Sequence, residues 1–341
     1  MDIHAIVLAA GKGSRFLPVT SEYHKSLFPL LGESILHRLL STLIDSGIES
    51  LTVAVGWLAE QIEHHLRSLN LQKNVQLALV EDYEIGPLKT FASTVERCSE
   101  TPILTCPADL LAEKRLTTAF IRNQGTSDAL VNIAVDTTAT TGTSVYTEGE
   151  GRVVSLTPSG RGDYWGRSAM LLGVDKRFLR HAQSALEDGR TRVAQAIEHA
   201  ISQGEIIRGI AVTGDWFDLD SPESLIRCMK YLFDTTKAVE KSDVYLTSGD
   251  VFEVGQQIEF PSGTVVQKNV TLTGPVYIGK RCHISSGTRL GPYVDLENNT
   301  RLGSGTTLVD CLAFGNADIG DGINEKQAII CGDKILRGRV S

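Results

Sequence analysis

From Val270 to Leu308 the chain repeats itself every sixth residue. Val270, Val276, Cys282, Thr288, Val294, Thr300 and Thr306 form one series. Leu272, Ile278, Ile284, Leu290, Leu296, Leu302 and Leu308 form a second, and glycine follows it at Gly279, Gly291 and Gly303. A six-residue period in two registers predicts short strands and turns stacked as a β-helix, each coil covering its neighbour. About three coils fit between residues 264 and 312 on this period. The repeat domain is assigned to 256–315, and the tail, 316–341, carries no clear pattern.

Upstream the rhythm is different. "IHAIVLAA" is a short apolar run ending in glycine and predicts a buried strand. "ESILHRLLSTLIDSG" sets Ile35, Leu36, Leu39, Leu40, Leu43 and Ile44 on one helical face, with Gly47 as the stop. "LTVAV", "VQLALV", "TPILTC", "ALVNIAV" and "SAMLLGV" predict further strands. "LAEQIEHHLRSL" and "TRVAQAIEHAISQG" predict helices. Alternating strand–helix units imply an α/β domain with a mainly parallel sheet under two helical layers. "DSPESLIRCMKYLF" predicts a helix with Ser221 as N-cap and Pro222 at its first position. The polar stretch after it places the boundary: an N-terminal domain over 1–235 and a linker over 236–255.

The 341 residues suffice for two domains and a sizeable core, at 42% hydrophobic and 22% charged. A formal net charge of −8 argues against nonspecific binding to nucleic acid or a membrane surface. It leaves room for a small anion held by a local basic cluster. The six cysteines form no CxxC pair and read as reduced packing thiols. No signal peptide and no apolar run of about 20 residues is present, so the expected location is the cytoplasm.

"LAAGKGSRFLPVTSEYHK", Leu8 to Lys25, carries the chemistry. A strand ending in a Gly-rich turn can aim backbone N–H groups at an anion. Gly11 and Gly13 allow close approach, Arg15 offers a fork matching phosphate oxygens, and Lys25 adds a second charge. The P-loop pattern is absent, and the dinucleotide pattern fails because position 16 is Phe. By itself the segment also reads as a tight βα turn with exposed basic residues.

The longer stretch "LAAGKGSRFLP…HKSLFPLLGESIL" resembles the signature of nucleotidyltransferases that make nucleotide-sugars from sugar 1-phosphates. Gly11, Gly13, Ser14, Arg15, Pro18, Thr20, Lys25 and Pro29 stand in matching places, and Ser26 replaces the usual proline. Three further landmarks follow in family order. "EDYEIGPLKTFAS" resembles the base-reading segment, with Glu81 and Gly86 at the family spacing. "ILTCPADLL" and "GDWFDLDSPESL" resemble the segments carrying two metal-binding aspartates, which would be Asp109 and Asp218. Taken singly, Asp109 also reads as a helix cap and Asp218 as a solvated loop charge. The hexapeptide repeat resembles the left-handed β-helix common at the C-terminus of such enzymes.

The resemblance implies a Rossmann-like, three-layer domain with a mainly parallel mixed sheet, followed by a short left-handed β-helix. It implies that Leu8, Ala9, Ala10, Gly11, Gly13, Ser14 and Arg15 hold a nucleoside triphosphate, with Glu81 and Gly86 at the base. Arg15 and Lys25 would act in catalysis, while Asp109 and Asp218 would hold Mg²⁺. The acceptor's phosphate oxygen would attack the α-phosphorus and expel pyrophosphate, needing charge neutralisation rather than a strong base. Mg²⁺ suits two carboxylates, phosphate oxygens and waters.

An ionised Glu81 only accepts hydrogen bonds, and guanine offers two donors on one edge, which favours GTP. Cytosine's amino group also donates, so CTP stays open. On the sugar side the usual E-K-P is matched only by "SLTPSG" with Pro158, and the usual N-A-G is replaced by "WGRSAML". Arg161 or Arg167 would supply the missing charge, with Asp109 also on the acceptor side. The acceptor is therefore a sugar 1-phosphate or a related small phosphate ester. The β-helix is expected to serve structure or homo-oligomer contact. His283, beside Cys282, keeps open an acyltransferase reading, and a noncatalytic binding relative is a further alternative.

Overall fold

The structure, a computed structural model, describes residues 3–69, 71, 75–98, 102–124, 128–149, 151–158, 161–236 and 242–338. Residues 237–241 of the expected linker and 339–341 of the expected tail lie outside these. The chain divides into two compact units: Met1–Lys12 with Leu36–Asp218, and Gly13–Ile35 with Leu219–Ser341.

In chain order the strands before the repeat region are β1 (His4–Ala9), β2 (Pro29–Leu30), β3 (Glu33–Ser34), β4 (Ser50–Val55), β5 (Val75–Leu79), β6 (Ile103–Pro107) and β7 (Leu110–Ala112). They continue with β8 (Val131–Asp136), β9 (Ser144–Glu148), β10 (Arg152–Ser155), β11 (Asp163–Val174), β12 (Ile207–Ala211) and β13 (Trp216–Asp218). The helices are α1 (Ile35–Asp45), α2 (Ala59–Ser68), α3 (Pro87–Arg97), α4 (Lys114–Gln124), α5 (Leu179–Glu187), α6 (Val193–Ser202) and α7 (Pro222–Thr235).

The first unit is built on one mixed sheet in the order β5-β4-β1-β6-β11-β8-β12-β10-β9. β5, β4, β1 and β6 run parallel, and β11 runs against both β6 and β8. The apolar runs of β1, β6 and β8 are buried along nearly their whole length, as strands covered on both faces must be. Phe91 of α3, Phe178 at the N-cap of α5, Ala182 of α5 and Ile197 of α6 close one core over the sheet, and α4 packs on β11 and β12. Each fully buried Phe or Ile contributes about 1.5–3 kcal/mol by leaving water. α5 and the β9–β10 hairpin were not legible in the sequence.

The second unit holds the β-helix. One sheet runs Val244–Leu246, Val276–Ile278, Val294–Leu296, Cys311–Phe314, Ala328–Cys331 and Lys334–Arg337. Two five-stranded sheets, begun by Val251–Val254 and Ile258–Glu259, complete the coils. The strands within the coils pair in parallel, and both hexapeptide series are buried. Thr288 and Thr306 sit inside without penalty because their hydroxyls donate to the carbonyls of Gly303 (3.2 Å) and Gly320 (2.9 Å).

Strands occupy parts of the segments expected as linker and tail. The six-residue pattern ends at Leu308 because the turn that follows is one residue shorter. Leu290 pairs with Leu308, eighteen residues on, whereas Val294 pairs with Cys311, seventeen on. Cys311, Ala317 and Ala313, Ile319 then continue the two buried series out of phase. At the last coil Glu325 takes an inward position, and Arg337 from the antiparallel closing strand donates to its Oε2 at 2.9 Å.

Residues 13–35 belong with this unit for a visible reason. Phe28 and Tyr23 pack on Phe314, with ring centres 5.0 and 5.1 Å apart. Leu31 and Gly32 form the two-residue turn of the β2–β3 hairpin, both with positive φ (50° and 79°). Their N–H groups donate to buried carboxylates, Leu31 to Asp295 Oδ2 and Gly32 to Glu297 Oε1, each at 2.8 Å.

All six cysteines are free and buried. Burial pushes the thiols of Cys106 and Cys282 up to about 12 and those of Cys311 and Cys331 up to about 11. Native protein at pH 8 is expected to release less than about one equivalent of thiolate to a colorimetric disulfide reagent, and all six after denaturation. Rapid reaction of several thiols in the native state would contradict packing roles.

Candidate active site

β5, β4, β1 and β6 all end at one edge of the sheet, the edge where open parallel sheets bind ligands. The loops after them carry most of the residues singled out above. Leu8 is half-buried, Ala9 and Ala10 are buried, and Gly11 is exposed. Leu8 accepts the N–H of Ala108 at 3.0 Å, and Ala10 accepts that of Trp57 at 3.0 Å. The end of β1 is thereby locked between the chain segments that follow β6 and β4.

Lys12 links this end to the segment after β5. Its ammonium lies 2.5 Å from Glu84 and 5.2 Å from the centre of the Trp57 ring. The hydrogen bond it donates to Glu84 holds its pKa above the usual lysine value. The sequence singled out the glycines on either side of Lys12 but assigned it no role. Tyr83 from the same segment lies against Gly56, where a Cβ would fall 2.5 Å from the ring. Glu81 is exposed at the start of this segment, and Gly86 ends it as the N-cap of α3.

Gly86 is required twice over. Its φ is +134°, and a Cβ there would sit 2.8 Å from the Thr191 carbonyl oxygen, which accepts the Leu88 N–H at 2.9 Å. Gly86→Ala is expected to cost about 1–3 kcal/mol, lowering Tm by several degrees, and to raise the NTP KM about tenfold. Unchanged Tm and KM would show that the segment tolerates the shift.

Asp109 follows β6, and Asp218 ends β13. The short ladder of β7 with β13 is antiparallel and sets Asp218 directly opposite Leu110, the neighbour of Asp109. Residues 109 and 218, more than a hundred apart in sequence, therefore come to neighbouring backbone positions, both half-buried. Charge from Asp109 adds to the burial that raises the Cys106 thiol. Asp136 anchors the ladder from outside by accepting Trp216 Nε1–H at 3.0 Å. Partial burial pushes the Asp136 carboxyl up, but hydrogen bonds from Thr138, Trp216 and Ala139 outweigh it and hold the group below its usual value. Nothing local in the sequence marked Asp136. Among the described residues no group of three or more His, Cys, Asp or Glu could hold a metal ion. Carboxylates at these two positions are hard oxygen donors of the kind a divalent cation takes beside phosphate and water.

In the second unit Gly13 adopts the left-handed conformation (φ 62°) and opens a single 3₁₀ turn, Ser14–Phe16. Thr20 Oγ1 donates to the Gly13 carbonyl at 2.9 Å. A Cβ on Gly13 would meet Lys25 Cβ at 3.1 Å, so the stem of Lys25 packs along the loop backbone. Lys25 is half-buried with its ammonium 5.5 Å from the centre of the Phe16 ring. Ser14 and Arg15 are exposed, and Arg15 is ion-paired with Asp220.

The two arginines expected on the acceptor side are placed differently. Arg161 is exposed on the connection into β11. Arg167 is engaged by its surroundings, donating to the Gly142 carbonyl (3.0 Å) and Ser144 Oγ (2.6 Å). His283 is half-buried in the β-helix between Val265 and Arg301, with Gln267 Nε2 3.4 Å from its ring nitrogen.

Residues 5–203 match the MobA-like NTP transferase domain. The chain belongs to that family. It is 23% identical over 268 residues to the mannose-1-phosphate guanylyltransferase catalytic subunit beta of Drosophila pseudoobscura pseudoobscura, covering 76% of this chain and 70% of the relative. It is 23% identical over 343 residues to the UTP–glucose-1-phosphate uridylyltransferase of Synechocystis sp., covering 91% and 87%. A solved UDP-glucose pyrophosphorylase from Acinetobacter baumanii shares the fold, with a TM-score of 0.58 at 14% identity over 70% of this chain and 96% of that one. No helix among the described residues is long and apolar enough to cross a membrane.

Proposed function

We propose that this NTP transferase couples a nucleoside triphosphate, GTP by preference, to a sugar 1-phosphate or related small phosphate ester. An acceptor phosphate oxygen forms a bond to the α-phosphorus, the bond to the β-phosphate oxygen breaks, and pyrophosphate leaves. The observation that carries this reading is the β7–β13 register, which sets Asp218 across from the residue beside Asp109. Two of the relatives bear names that couple a nucleotide to a sugar 1-phosphate, one a guanylyl and one a uridylyl transferase.

In this reading the backbone from Leu8 to Ser14 and the Arg15 guanidinium bind the triphosphate, Arg15 exchanging Asp220 for phosphate oxygens. Lys25 offsets charge on the reacting phosphates, and Gly86 shapes the approach of the base. Glu81, exposed and accepting only, favours guanine's paired donors. Asp109 and Asp218 would hold Mg²⁺, which when bound supplies charge neutralisation and alignment of the phosphates. Arg161 serves the acceptor side only if its loop folds inward on binding, and Arg167 holds the 142–144 turn. The β-helix would serve contact between copies of the chain in the cytoplasm.

The test is pyrophosphate release with each of the four NTPs and a panel of phosphate esters, with Mg²⁺. Release that is greatest with GTP is expected. Release that is greatest with UTP would overturn the reading of Glu81. No release with any pair, while an NTP still raises Tm, would favour a noncatalytic nucleotide binder.

A further inference from the structure

A cavity of about 200 Å³ opens in the first unit, where β1, β6 and β11 face α6. Its walls place it on the path of the proposed chemistry. Leu8 leads into the Gly-rich loop, Pro87 follows Gly86, and Cys106 and Pro107 lead into Asp109. Apart from the hydroxyl side chains Thr105, Thr143 and Ser168, the rest of the lining is apolar, including Ile133, Leu156, Leu172, Val193 and Ile197. Among the described residues no charged side chain and no amide lines it.

Two features mark the cavity as built for a ligand. Thr105 is 2% exposed and lines the cavity, yet its hydroxyl has no hydrogen-bond partner among the described residues. A buried hydroxyl left unpaired is costly and calls for a partner, an ordered water or a bound group. The second feature is Met170. Between Ser168 and Leu172, β11 carries two residues more than β8 opposite, and within this bulge Met170 has φ +64°. Glycine adopts that conformation freely and methionine does not. The strained backbone holds a flexible thioether side chain at the cavity wall.

We propose that this cavity receives the organic part of the acceptor phosphate ester and selects a deoxygenated, methyl- or methylene-rich group over a fully hydroxylated hexose. The inference rests on the nucleotidyl-transfer reading above and adds the acceptor's chemical class. A hexose carries a hydroxyl on most ring carbons, and each one buried here without a partner loses its hydrogen bonds to water. Thr105, Thr143 and Ser168 offer hydroxyls, but the Ser168 oxygen already accepts the Met170 N–H at 3.2 Å. An acceptor with one or two oxygens on an apolar skeleton matches such walls.

The experiment compares glucose 1-phosphate, 6-deoxyglucose 1-phosphate and cyclohexyl phosphate with GTP and Mg²⁺, reading pyrophosphate release. The 6-deoxy compound is expected to exceed glucose 1-phosphate at least tenfold in kcat/KM. Met170→Gly, which removes the thioether and suits the backbone, is expected to reduce that ratio at least threefold with Tm held or raised. Leu156→Gln, adding an amide to the wall, should move the ratio the same way. Glucose 1-phosphate used as well as, or better than, its deoxy counterpart would overturn the inference and leave nucleotidyl transfer standing. If no acceptor releases pyrophosphate with any of the four NTPs, the transfer reading fails. Calorimetric binding of cyclohexyl phosphate against glucose 1-phosphate then decides for the cavity: tighter binding of the former supports it, and equal or weaker binding overturns it.

Discussion

Asp109→Asn and Asp218→Asn are each expected to lower kcat by at least about 10³-fold while leaving the fold intact. Asparagine keeps the size and one oxygen of the carboxylate but not its charge. A hard divalent cation held by two carboxylates loses half of its protein charge in either variant. Both residues are half-buried at one edge of a short ladder whose backbone pairing does not depend on their side chains. Circular dichroism and a Tm within a few degrees of the parent should verify this. A chelator should remove the activity of the parent, and excess Mg²⁺ should restore it. Rates near normal in either variant would sink the assignment of that residue.

Lys25→Met is expected to lower kcat by about 10²-fold, with a smaller effect on the KM for NTP. The choice of methionine separates charge from packing. The Lys25 stem runs beside the backbone of Gly13, and its ammonium rests 5.5 Å from the centre of the Phe16 ring. Methionine keeps most of that stem, so a fall in kcat at constant Tm reports the missing charge. An increase in KM alone would mean that Lys25 binds nucleotide equally in ground and transition states, and its catalytic role would be withdrawn.

Much of the fold could be read from local pattern. β1, β4, β6, α1 and α6 each carry their own burial in their spacing, so a short window suffices to find them. Ser221 does cap α7, its oxygen accepting the Ser224 N–H at 3.2 Å. The misses have one character. Strands in the segment 316–338 were hidden because a single shortened turn after Leu308 shifts the hexapeptide phase. β7 and β13, three residues each, are too short to show a period and exist through their pairing. "SAMLLGV" read as a strand without sign of the bulge that β11 carries within it.

The site divides along the same line. The Gly-rich loop, Glu81, Gly86, Asp109 and Asp218 were named from motif order, because each motif is a local string of residue types. The order could not say that Arg15 pairs with Asp220, that Arg167 is engaged by the 142–144 turn, or that Asp136 secures Trp216.

The sequence by itself therefore determined the two architectures and the family signature on which the proposed site rests. Periodicity and glycine placement act within one strand, helix or turn, and the chain writes them in consecutive residues. Only the tertiary structure decided that Asp218 pairs with Leu110, the neighbour of Asp109, that residues 13–35 join the β-helix unit, and that a mostly apolar cavity with an unpaired Thr105 hydroxyl at its wall lies beside the loops. Those features depend on register and packing between segments far apart in the chain. A sheet pairing one residue out of step would turn its side chains to the opposite face and dissolve them.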